Sequence, residues 1–167
     1  MAATVEICES NGAGETVSHN ITNTNMGNTD AVNLDPVAYP ITPGSRTYAK
    51  YQRIHVTNMG TSSAINNLKV WRTGALGGSA THLTNAGTTT NYTAKTYATP
   101  ATSSIADVDN AMPTSTPASA NLGIGGDLVT SLTAAGYSDY LVHQILTDAG
   151  DIAGSTSTMS YQYDETA

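Results

Sequence analysis

The chain has 167 residues, 39% of them apolar and 11% charged, against roughly 45–50% and about 25% in typical soluble domains. The difference lies in Thr, Ser and Asn, which favour strands and turns over helices. Six Lys and Arg against 13 Asp and Glu give a formal charge of -7, which excludes phosphate-backbone binding as a main role, since that needs clustered cations.

The length is that of a single domain, residues 1–167. No segment approaches the roughly 18 consecutive apolar residues of a membrane helix. The stretch Met1–Glu6 carries no basic run followed by an apolar one. The expectation is a soluble protein made inside a cell, with neither membrane nor nucleic acid as a partner. The lone cysteine, Cys8, has no internal partner and reads as a reduced thiol.

The first period-two stretch runs from Thr16 to Asn23, with Val17, His19 and Ile21 on one face. Asn, Gly and Pro from Met26 to Gly44 then predict a long surface connection. Tyr48 to Asn58 is the strongest strand, with Tyr48, Ile54 and Val56 opposed to Tyr51, Arg53 and His55, and it is expected at the centre of a sheet. Ile65 to Thr73 places Leu68 and Val70 opposite Lys69 and Trp71. The short Asn58–Ser63 connection predicts that these two strands form a hairpin or lie close together. Trp71, the largest apolar surface in the chain, is assigned to the core.

From Gly74 to Ala120 the composition turns to Ala, Thr, Ser, Asn and Gly. Long loops and short edge strands are expected here, and a polar insertion of this length usually serves an interface or gains order from a partner. Its anchors Tyr92, Tyr97, Ile105, Val108, Met112, Pro113 and Pro117 are the candidate interface residues. Asn121 to Leu128 is rich in turn residues without the spacing of a dinucleotide fingerprint. Tyr137 to Thr147 has two apolar faces and is expected mid-sheet, Asp148–Gly154 is a turn, Ser155 to Tyr163 returns with Met159, Tyr161 and Tyr163 on one face, and Asp164–Ala167 is an acidic tail. Seven or eight short strands predict an all-β fold, a two-layer antiparallel sandwich of Ig-like or jelly-roll type with long polar loops.

Catalytic and metal motifs are missing from the sequence. The four histidines, His19, His55, His82 and His143, show no close pairing along the chain, so no metal is assigned. The acid pairs Asp107/Asp109, Asp148/Asp151 and Asp164/Glu165 lack a calcium-loop pattern and read as solvated turns. Ser, His and Asp occur too widely for their presence to indicate a triad. No enzyme activity, cofactor or catalytic residue is expected.

Four segments carry a resemblance: Tyr48–Thr57, the Ser-rich connection into Ile65–Trp71, Ala134–Val142 and Met159–Glu165. Together they resemble a group of small virion structural proteins of tailed bacteriophages, over about half the chain. The resemblance implies a β-sandwich that decorates or cements the capsid through the major capsid protein or other virion proteins, as a symmetric homo-oligomer on the capsid surface. The acidic balance suits an outer surface, where cations would collect stray nucleic acid. The alternative is a tail or fibre component, or a module that binds host-surface carbohydrate through Tyr92, Tyr97 and Trp71.

Overall fold

The computed structural model describes residues 1–151 and 154–167. It is all-β: β1 (Thr4–Asn11), β2 (Thr16–Ser18), β3 (Lys50–Asn58), β4 (Ala64–Thr73), β5 (Thr81–Thr84), β6 (Asn110–Ala111), β7 (Gly136–Tyr137), β8 (Leu141–Leu146) and β9 (Thr158–Thr166). A seven-stranded sheet runs β2-β1-β3-β8-β5-β6, with β7 also paired to β3, and a two-stranded sheet of β4 and β9 packs over it. Every pairing is antiparallel. The sandwich is as the patterning predicts, and among the described residues no helix is long and apolar enough to cross a membrane.

β3 is central, paired to β1 on one side and to β8 and β7 on the other. The stretch expected as one strand over Tyr137–Thr147 is broken into β7 and β8. At the break, Ser138 N–H donates to Ile54 O at 2.9 Å and Ser138 Oγ accepts Ile54 N–H at 2.9 Å, so a side chain substitutes for a ladder bond. Both faces of β8 are covered, as expected.

Several expectations are corrected. β1 lies where the patterning predicts no strand. The strand predicted over Thr16–Asn23 ends at Ser18, because Asn20 takes a left-handed φ of 50° that a ladder does not accommodate. β3 and β4 form no hairpin, since β4 pairs with β9 in the other sheet. Trp71 is half-buried and outside both apolar clusters: Leu68 and Val70 turn inward, so the alternation carries Trp71 to the opposite face of β4. The acidic end is no free tail. Asp164 and Glu165 belong to β9, and Glu165 accepts from Ala3 N–H and Ser62 Oγ–H. The turn expected over Asp148–Gly154 includes Ile152 and Ala153, which lie outside the described residues.

The main core lies between the sheets, where Ile54, Val56 and Leu141 of the large sheet meet Ile65, Leu68 and Val70 of β4, with Met159, Tyr161 and Tyr163 of β9 against them. A second cluster, Ala49, Tyr51, Val108, Tyr140 and Val142 with Tyr97 and Ile105, covers the other face of the large sheet. The outer edge of β4 is closed by loops: Arg72 N–H donates to Pro113 O, Ile65 and Leu132 exchange bonds, and the Asn121 side chain takes both Val70 N–H and Val70 O at 2.8 Å. Removing that side chain in Asn121→Ala leaves both buried backbone groups of Val70 unpaired. A loss of about 2–3 kcal/mol is expected in urea denaturation.

Within the 121–128 segment the chain makes a two-residue hairpin turn, with Ile124 bridged to Asp127. Gly125 and Gly126 sit at φ of 61° and 93°, the left-handed pair that this turn requires.

Candidate functional site

The candidate interface residues of 74–120 fold onto their own chain. Val108 and Met112 are 1% and 3% exposed. Each fills one of the two apolar clusters, because the large sheet has two faces to cover and this segment supplies cover to both. Tyr97 packs edge-on to Tyr51, its ring centroid 5.1 Å away, and its hydroxyl donates to Gly12 O. Ile105 joins the same cluster. Tyr92 donates to the Asp139 carboxylate at 2.6 Å. Burial first, then that carboxylate, pushes the Tyr92 phenol far above its usual range. Pro113 O accepts Arg72 N–H, and Pro117 is half-buried beside Ala118, whose carbonyl accepts the Lys69 ammonium at 3.1 Å. The structure therefore brings Tyr97, Ile105 and Val108 together in one cluster, places Met112 in the other with Tyr92 packed against that cluster, and leaves Pro113 and Pro117 in separate contacts.

An open backbone edge appears instead on β9. In an antiparallel pair, residues opposite each other turn their backbone groups either both inward or both outward. Val70 and Arg72 point theirs away from β9, toward Asn121 and Pro113. Their partners Tyr161 and Met159 therefore turn N–H and C=O away from β4. Among the described residues no backbone bond reaches those groups from the far side. A groove of about 360 Å³ lies there, lined by Thr158, Met159 and Tyr161 on one side and by Ile21 to Asn25 on the other. Periodicity finds the strand but not its open edge, which depends on a pairing about 90 residues apart in sequence, as Val70 and Tyr161 are.

The inner face of the large sheet changes character along its length. One end is Val5, Ile7, Ile54, Val56 and Leu141. The other end is polar and buried: Glu9, Lys50, Gln52, His82 and His143. Lys50 Nζ donates to Glu9 Oε1 at 2.8 Å and to Ala31 O at 2.6 Å. Glu9 Oε2 accepts from Gln52 Nε2 and Thr24 Oγ1. Gln52 Oε1 in turn faces Tyr161 O–H at 2.5 Å and His143 Nε2 at 3.1 Å, and His143 Nδ1 lies 2.8 Å from His82 Nε2. The contacts are all satisfied with both rings neutral and protonated on Nε2, His82 donating to His143 and His143 to Gln52. His82 Nδ1 has no partner.

Burial first, then Arg72, pushes His82 down to about 3. Burial, His82 and Lys50 hold His143 well below its usual value. The two rings line a cavity of about 320 Å³ with Met26, Leu76 and Ile145. A ring this weakly basic does not act as a general base near neutral pH, where a base is best matched to the working pH. The chain of contacts is thus an internal tie between β1, β3, β8, β5 and β9. No family model, no curated protein and no solved structure matches the chain.

Proposed function

We propose that this chain is a non-enzymatic structural protein of a tailed-phage virion, attached to the capsid surface by accepting an extended strand of the major capsid protein along β9. The observation that carries this reading is the outward-turned backbone of Met159 and Tyr161 beside the 360 Å³ groove. A long unpaired strand edge is a ready template for an added strand. A sheet covered on both faces supplies the rigid body that such a contact needs, and Asp164 and Glu165, both exposed near the end of β9, favour a partner strand that carries cations.

Two measurements test it. In electron cryo-microscopy of the virion that encodes the chain, density of this size should repeat on the capsid lattice, with a strand of the shell protein beside β9. In hydrogen exchange, the amides of Met159 and Tyr161 should slow by at least about tenfold on assembly with the shell. Density confined to the tail, absence from the particle, or unchanged exchange at β9 in the assembled state would overturn the proposal.

A further inference from the structure

A second cluster of chemistry lies on the opposite face of the large sheet. Alternation along β1 sends Glu6 and Cys8 to one face, and the β1–β3 register sets His55 across from Glu6. The β1–β2 pairing opposes Ser18 to Glu9, so the next residue, His19, comes beside Cys8. The contacts follow from this placement. Glu6 Oε1 lies 2.7 Å from both His19 Nδ1 and His55 Nδ1. Cys8 Sγ lies 3.5 Å from the same oxygen and 3.3 Å from His19 Nδ1. All four donor atoms fall within 4.8 Å of one another.

The surroundings hold this arrangement in place. His55 stacks on Tyr137 with centroids 4.0 Å apart and planes 6° off parallel, and the Arg53 guanidinium lies 4.2 Å from the centre of the same ring. Cys8 is 1% exposed, and the His19 side chain is 50% exposed, so the inner donor is shielded and the outer one open to solvent.

From this geometry we infer a binding site for Zn²⁺, with Glu6 Oε1, Cys8 Sγ, His19 Nδ1 and His55 Nδ1 as its four ligands. Two nitrogens, one sulfur and one oxygen suit a borderline-soft tetrahedral ion and are a poor set for the hard, all-oxygen cations. Tetrahedral bond lengths of about 2.0–2.3 Å space ligand atoms about 3.3–3.7 Å apart. The two sulfur contacts are already at that spacing. The two imidazole contacts must open by roughly half an ångström, which a small rotation of the exposed His19 ring and of the Glu6 carboxylate supplies. Binding converts each ligating ring to the tautomer protonated on Nε2 and takes the Cys8 proton to solvent, leaving thiolate on the ion. The ion would pin the chain after β2 to β1 and β3.

The full-length chain, reduced and stripped with a chelator, is titrated with Zn²⁺ against a chromophoric chelator and separately with Co²⁺. One ion per chain is expected, with a Kd below about 1 μM. The Co²⁺ form should show the strong visible bands of a tetrahedral centre and a near-ultraviolet thiolate charge-transfer band. Cys8→Ser should abolish that band, and Cys8→Ser and His55→Gln should each weaken Zn²⁺ binding by at least about a hundredfold. His19→Ala, at an exposed ring, should weaken it while leaving the far-ultraviolet spectrum unchanged, which separates loss of a ligand from loss of the fold. A wild-type Kd weaker than about 1 μM, a cobalt form without the thiolate band, or wild-type affinity in His19→Ala would overturn the assignment.

Discussion

Lys50→Met is expected to destabilise the protein by about 3–5 kcal/mol, a large share of the 5–15 kcal/mol typical of a domain. Lys50 and Glu9 are 3% and 1% exposed and meet at 2.8 Å. Methionine keeps most of the lysine stem but removes the ammonium, so Glu9 is left as a buried carboxylate facing only the neutral donors Gln52 and Thr24, and Ala31 O loses its own donor. The loss should therefore exceed what one hydrogen bond contributes. The pair itself is a different quantity. Removing both charges in Glu9→Leu/Lys50→Met should recover part of the loss, because the uncompensated buried charge is gone while Gln52 Nε2, Thr24 Oγ1 and Ala31 O still lack these partners. Urea denaturation of the wild type, both single variants and the double variant measures the cycle. A Lys50→Met variant within about 1 kcal/mol of wild type would show that Glu9 is served by its neutral donors alone.

This pair also shows where sequence reasoning stops. β3 was readable because Ile54 and Val56 alternate with polar residues and β-branched side chains favour strands. Alternation places Lys50 and Gln52 on that same inward face, yet a lysine and a glutamine look like surface residues until Glu9, some 40 positions away, is known to lie against them. β1 escaped for the same reason. Its inward row is Val5, Ile7 and Glu9, and the burial of Glu9 depends on partners that composition does not reveal. With β1 unrecognised, Glu6 and Cys8 had no common face and the histidines no meeting point, so the cluster with His19 and His55 stayed hidden. β3 and β4 lie close together across the core without forming a hairpin, because a short connection is also how a chain crosses between the sheets of a sandwich, and local spacing does not distinguish the two. In the 74–120 segment, sparse apolar residues suggested an arm. The same sparseness serves for covering a sheet face that needs only Tyr97, Ile105 and Val108 to close it.

Acid should weaken the fold well before its carboxylates titrate. His82 and His143 are held neutral in the native state, His82 at about 3 and His143 well below its usual value, in both cases chiefly by burial. Hydrogen bonding acts in the same direction. An imidazolium needs an acceptor at each nitrogen, but His82 Nδ1 has no partner and His143 Nδ1 is already occupied as an acceptor. Lys50 and Arg72 add positive potential nearby. In the unfolded chain both rings titrate near 6.5. Below that pH the unfolded state binds protons that the native state does not, so stability is complete above about 6.5 and falls as the pH drops from there toward about 3. Each ring approaches a slope of about 1.4 kcal/mol per pH unit, and the two together should remove about 3 kcal/mol between pH 6.5 and 5. Glu6, held below its usual value by His55 first and then His19, contributes only at lower pH, because its own loss begins below the ordinary carboxylate value of 4.5. Urea midpoints at fixed m, measured every half unit from pH 7.5 to 5, give the slope directly. His82→Gln should cut it by about half whatever it does to the absolute stability, since one of the two rings no longer takes up a proton on unfolding. A flat wild-type profile across that range would mean that the native state accepts the protons, and so that the His82–His143–Gln52 contacts reorganise instead of holding both rings neutral.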